Sequence, residues 1–148
     1  MEVLANAAYA GASKAEMSRE LARECDALRK EACETWSEAI DDPQHASSQL
    51  RAQLRRVSDS SAGNAGTIAL AAAYVGDTSL ALDALEVLTA KASTPTFQNM
   101  WFPLLSNVRK EARFKRLMSD LGFVELWRRT DQWPDFCHPT GVDDFECT

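Results

Sequence analysis

Apolar residues recur every three or four positions through most of this chain, the period of a helix with one buried face. The longest stripe runs Met17, Leu21, Cys25, Leu28, Ala32, Trp36 and Ala39. Just ahead of it, Ser13 and Glu16 have capping-box spacing: a hydroxyl at the N-cap and a carboxylate three residues on satisfy free amide donors of a first turn. One helix of about seven turns is therefore predicted over 13–40. It ends at Asp41-Asp42-Pro43, because the residue before a proline is pushed out of helical geometry. Upstream, residues 2–10 (EVLANAAYA) favour a helix that stops at Gly11.

From Ser47 to Val57, Leu50, Leu54 and Val57 share one side and Arg51, Arg55 and Arg56 lie elsewhere, the pattern of a short surface helix. Asp59 to Gly66 (DSSAGNAG) reads as a loop between two halves. After Thr67, IALAAAYVGDTSLALDALEVLTAKA is almost all strong helix formers, broken only at Gly76-Asp77, which predicts an antiparallel pair with a tight turn. Ala65, Ala69, Ala72 and Ala73 would face Leu80, Ala81, Ala84, Leu85 and Leu88, small residues letting the axes approach while leucines fill the gap.

After Thr94-Pro95, FQNMWFPLL contains Pro103, tolerable only near a helix start or at a break, so a short or broken helix is expected. Val108, Ala112, Phe114, Leu117, Met118 and Leu121 mark a helix over 107–121 stopped by Gly122, and 123–129 adds another turn or two. The tail WPDFCHPTGVDDFECT reads as irregular, pinned by Trp133, Phe136 and Phe145. The expectation is an all-α chain: N-terminal helices over 1–58, a linker at 59–66, antiparallel hairpins over 67–132 and a tail over 133–148.

Composition narrows what such a chain does. Its net charge of −6 opposes nonspecific binding to nucleic acid or anionic lipid, which need a basic face. The run VRKEARFKR, followed by Arg128 and Arg129, is a local exception and reads first as a solvated helix face. No apolar stretch has the length of a membrane span and no signal-peptide pattern opens the chain, so a cytoplasmic protein is expected. Cys25, Cys33, Cys137 and Cys147 are sparse and lack C-x-x-C spacing, which argues against a disulfide scaffold or a zinc ribbon.

Residues 65–88 resemble a tetratricopeptide repeat. Ala69, Gly76-Asp77 at the turn, Ala81, Leu85 and Leu88 fit the small, Gly-Asp, Ala and large-apolar positions of that roughly 34-residue motif, with Pro95 near its terminal proline. The motif's tyrosine is displaced to Tyr74, and position 65 lacks a large residue. Downstream, RFKRLMSDLGFVELWRRTDQWPDFCHPTGVDDFEC is similar to the ending of proteobacterial tetratricopeptide proteins, where such an array often follows a winged-helix or an adenylate/guanylate cyclase domain. The matching positions are Arg113, Phe114, Lys115, Leu121, Gly122, Trp127, Arg128, Trp133, Asp135, Phe136, Cys137, Pro139, Gly141, Asp144, Phe145 and Cys147; His138 stands where arginine is usual. No winged-helix or cyclase segment is recognisable here. The resemblance, which covers about 65–148, implies helical hairpins and a scaffold role.

Cys137, His138 and Cys147 are the one cluster with metal-capable groups; zinc and a 137–147 disulfide are alternatives to inert packing, which is favoured. Neither histidine lies in a nucleophile motif and no phosphate loop occurs, so no enzyme, cofactor or metal is expected. The tetratricopeptide resemblance places Leu70, Ala73 and Tyr74 on a concave surface bordered by Arg109, Lys110 and Arg113, suited to an acidic or carboxylate-ended peptide. A non-enzymatic, regulatory protein–protein interaction module is the expected function. The alternative is a small-molecule-binding regulatory domain with an aromatic pocket of Trp101, Phe102 and Trp127. A homodimer through the exposed stripe of helix 13–40 is also anticipated.

Overall fold

The computed structural model of the chain describes residues 1–91 and 97–148. The expected break at Thr94-Pro95, and Pro95 as a motif position, lie outside the described residues. The chain is mostly helical and divides into two compact units, Met1–Leu105 and Ser106–Thr148. No described helix is long and apolar enough to cross a membrane.

The first unit opens with α1 (Glu2–Tyr9), whose Leu4 and Ala5 are buried, and α2 (Lys14–Glu24), which carries the expected capping box at Ser13 and Glu16. The long helix predicted over 13–40 is not continuous. Residues 25–29 turn the chain back, and α3 (Lys30–Asp41) packs against α2. A straight helix would leave much of its stripe in water; folding back covers Met17 and Leu21 of one segment and Trp36, Ala39 and Ile40 of the other in one core. Of the stripe expected to seek a second copy, Met17, Leu21, Ala32, Trp36 and Ala39 are thus covered within the chain, and Cys25 and Leu28 are half-buried. Cys25 and Cys33 lie across this turn and are joined as a disulfide.

Pro43 ends α3 and also opens α4 (Pro43–Leu54), standing at the first helical position where its missing N–H costs nothing. The expected loop at 59–66 is short and partly helical: Asp59–Ser61 makes a 3-10 turn, and α5 (Gly63–Tyr74) begins directly after. Residues 65–72 of α5 are buried without interruption, so this helix is apolar on every side and runs through the middle of the unit. The expected hairpin partner, α6 (Thr78–Lys91), lies against it and buries Leu80, Ala81, Ala84, Leu85 and Leu88. Between them Gly76 adopts φ +82°, a left-handed conformation that side chains disfavour, and the Asp77 carboxylate accepts from the Leu80 amide at 2.9 Å, capping α6. Arg51 of α4 clamps this turn, lying 3.0 Å from Asp77 and 3.1 Å from Asp83. The short, broken helix expected around Pro103 takes the form of two 3-10 helices, Phe97–Trp101 and Pro103–Leu105, the second opening at Pro103 and packing on α1 and α5.

The second unit contains α7 (Ser106–Arg109), α8 (Ala112–Asp120) and α9 (Phe123–Thr130). The helix expected over 107–121 is broken at 110–111, and Gly122, at φ +77°, turns the chain from α8 into α9. The tail corrects the sequence expectation. Rather than irregular, it forms an antiparallel pair, β1 (Cys137–Pro139) and β2 (Phe145–Cys147), with Cys137 opposite Cys147. Their sulfurs are joined, which replaces the expected inert packing and leaves neither thiolate for a metal. Trp127 of α9 is closed over by Phe123, Trp133 and Phe145, with ring centroids 5.4–6.0 Å away. Lys115 of α8 reaches Asp144 at 3.0 Å, and this ammonium, followed by the Phe145 amide, holds the Asp144 carboxyl below its usual range.

Candidate functional site

One edge of α3's buried stripe, beside Thr35, carries Glu31, Glu34 and Glu38, spaced so that all three fall on one side of the helix. They form one wall of a groove of about 420 Å³. The end of α4 supplies Gln53, with Arg56 and Val57 just beyond it. The start of α5 and its approach supply Ser61, Asn64 and Ile68. This volume falls within the range of sites that enclose ligands or side chains of a partner.

Hydrogen bonds fix the groove's inner edge. The Thr35 hydroxyl, almost fully buried, lies 2.7 Å from the Glu31 carbonyl oxygen and 2.8 Å from Gln53 Oε1. The Gln53 amide then donates to Glu38 Oε2 at 2.6 Å. Burial, and then the neighbouring charge of Glu34, push the Glu38 carboxyl above its usual range, while the Gln53 hydrogen bond pulls it the other way. Asn64 Oδ1 is a buried acceptor with no hydrogen-bond partner among the described residues. Glu34 is paired with Lys30 at 3.5 Å, and Glu38 accepts from Gln53. Among the described lining residues, three carboxylates and the Asn64 acceptor face one cation, Arg56, so the site is acidic and open to further donors. An ammonium or guanidinium group supplies donors and positive charge together.

The residues singled out from the sequence are placed differently. Leu70 of α5 is fully buried and cannot line a surface, and Ala73 is half-buried. Tyr74 turns toward Trp36, ring centroids 5.8 Å apart, and so braces α5 against α3. Arg109, in the second unit, is 1% exposed; its Nε donates to the Thr148 carbonyl oxygen at 2.8 Å and its guanidinium lies 4.4 Å from the Phe136 ring centroid. It serves the packing of its own unit rather than a groove rim. Lys110 is exposed between α7 and α8, and Arg113 is half-buried on α8. Trp127, expected in an aromatic pocket, is buried among Phe123, Trp133 and Phe145.

The acidic wall is legible in the sequence as the Glu31, Glu34, Glu38 spacing on one helix face, although the sequence expectation placed the site among aromatic and basic residues further on. Asn64 and Gln53 gave no signal, since what matters about them is the tertiary packing that brings α4 and α5 to α3. No family model, no curated protein and no solved structure matches the chain.

Proposed function

We propose that the chain is a non-enzymatic protein–protein interaction module, tetratricopeptide-like in its α5–α6 hairpin, that receives a basic segment of a partner in the groove between α3, α4 and α5. The observation that carries this is the groove's acidic lining: Glu31, Glu34 and Glu38 line it, and Asn64 Oδ1 is buried with no hydrogen-bond partner among the described residues. A Lys or Arg side chain satisfies that acceptor and offsets the charge, with the stem covered by Val57 and Ile68. This reverses the polarity expected from the sequence, where an acidic peptide was anticipated. Binding is preferred over catalysis because Cys137, beside His138, has its sulfur tied to Cys147. A regulatory setting follows only from the resemblance of the C-terminal region to proteobacterial tetratricopeptide proteins.

Fluorescence anisotropy with labelled basic, neutral and acidic peptides tests this. The basic peptide should bind best, weaken as salt rises, and lose several-fold in affinity with Glu34→Gln or Glu38→Gln. Equal binding of the acidic peptide, or affinities untouched by both variants, would rule the groove out.

A further inference from the structure

The two disulfides differ in surroundings. Cys137 and Cys147 are 3% and 5% exposed and sit in the strand pair of the second unit. Cys25 and Cys33 are only half-buried, and both line an open cleft of about 220 Å³ with Ser18, Leu21, Ala22, Ser37, Ile40 and Asp41. Thiol–disulfide exchange requires a thiolate to reach a bridge sulfur directly, so access decides which bridge reacts. The position of the accessible bridge matters for the groove. Cys25 caps the end of α2, Cys33 stands in the first turns of α3, and Arg29 at the α3 N-cap makes no side-chain capping bond. The bridge cross-links the start of α3, whose buried side chain on that stretch is the small Ala32, and Glu31 and Glu34 stand there too. Beyond it, Thr35, Trp36, Ala39 and Ile40 are buried and hold the rest of the helix without help.

We propose that Cys25–Cys33 is a thiol–disulfide exchange site for a low-molecular-weight dithiol, and that opening it loosens the start of α3 and with it the acidic wall of the groove. One thiolate of the dithiol attacks a bridge sulfur; the S–S bond breaks, a mixed disulfide forms, and the departing cysteine sulfur takes a proton from solvent. The second thiol of the reagent then attacks the mixed disulfide, freeing the other cysteine and leaving as a cyclic disulfide. Two electrons pass from the dithiol to the bridge and two protons follow. An oxidising compartment keeps the wall set, and a reducing one releases it.

The effect on binding rests on the groove being a binding site; the exchange chemistry does not, and the test separates them. The intact chain is titrated with dithiothreitol, quenched with N-ethylmaleimide and mapped by mass spectrometry, beside backbone hydrogen exchange on the same samples. Cys25 and Cys33 should label at reductant levels that leave Cys137 and Cys147 unlabelled. Amide exchange over 26–34 should then rise by about tenfold or more, with exchange over 35–41 little changed. A Cys25→Ser, Cys33→Ser chain should show the same exchange pattern without reductant. Labelling of the 137–147 bridge first or equally, or unchanged exchange over 26–34 once the bridge is open, overturns the proposal. If basic peptides bind neither form while labelling and exchange behave as expected, the groove assignment fails and the exchange site stands.

Discussion

Trp36 offers the sharpest test of how the first unit is held together. Its side chain is 0% exposed, it packs beside Tyr74, and its indole Nε1 has no hydrogen-bond partner among the described residues. Burying an indole removes about 200 Å² from water, and at about 25 cal/mol per Å² that stabilises by about 5 kcal/mol. A buried N–H without an acceptor costs about 1–3 kcal/mol, which offsets part of the gain. Trp36→Ala should therefore lose about 3 kcal/mol. Trp36→Phe keeps most of the apolar surface and deletes the orphaned donor, so its loss should stay below about 1 kcal/mol. Urea unfolding followed by circular dichroism at 222 nm measures both; with a slope of about 2 kcal/mol per molar, the Ala variant's midpoint should fall by about 1.5 M. A Phe variant as damaged as the Ala variant would refute the reasoning, because the indole N–H would then be satisfied in solution.

The other expectations are separable. Glu38 is held above its usual 4.5 by burial and then by Glu34. A carboxyl with a raised folded-state pKa contributes most below its unfolded value, and that contribution is lost as pH rises through the raised one. Glu38→Gln should thus gain on the parent as pH is taken from about 4 to 8, and a parent–variant difference in urea midpoint that does not change with pH sinks the idea. Asp77 runs the other way: burial tends to raise its carboxyl, but the Leu80 amide, the Ser47 hydroxyl and Arg51 together outweigh it and leave the group lowered. Its stabilising part is present above its usual 3.8 and disappears as pH falls through the lowered value. Asp77→Ala, which removes the α6 cap, should cost about 1–2 kcal/mol at neutral pH, read as a shift in thermal midpoint that shrinks toward strong acid. In the second unit, Trp127→Ala should lose about 3–5 kcal/mol and raise amide exchange across α9; a native exchange pattern there would show that the ring cluster is not its core.

The α5–α6 hairpin and the α2 start were readable because each is signalled locally: an uninterrupted run of helix formers with Gly76-Asp77 in the middle, and a hydroxyl three residues ahead of a carboxylate. The turn at 25–29 was not, because no glycine or proline marks it. Cys25 and Leu28 continue the helical period, and only packing of the two halves against a shared core breaks it. The strand pair at 137–147 escaped for a related reason. Three-residue strands carry too little alternation to register, and what fixes them is the bridge and the ring cluster around Phe145. The groove was half legible, its acidic wall lying in one helix and its acceptors in two others.

The contact of Pro103–Leu105 with α1 joins the two ends of the first unit's sequence. Contacts between neighbours, such as α5 with α6 across a tight turn, close small loops and form early, whereas this one must wait until nearly the whole unit has been gathered in. Closing it therefore carries the largest loop-closure cost of the unit's helix contacts, and it is expected to form late in folding.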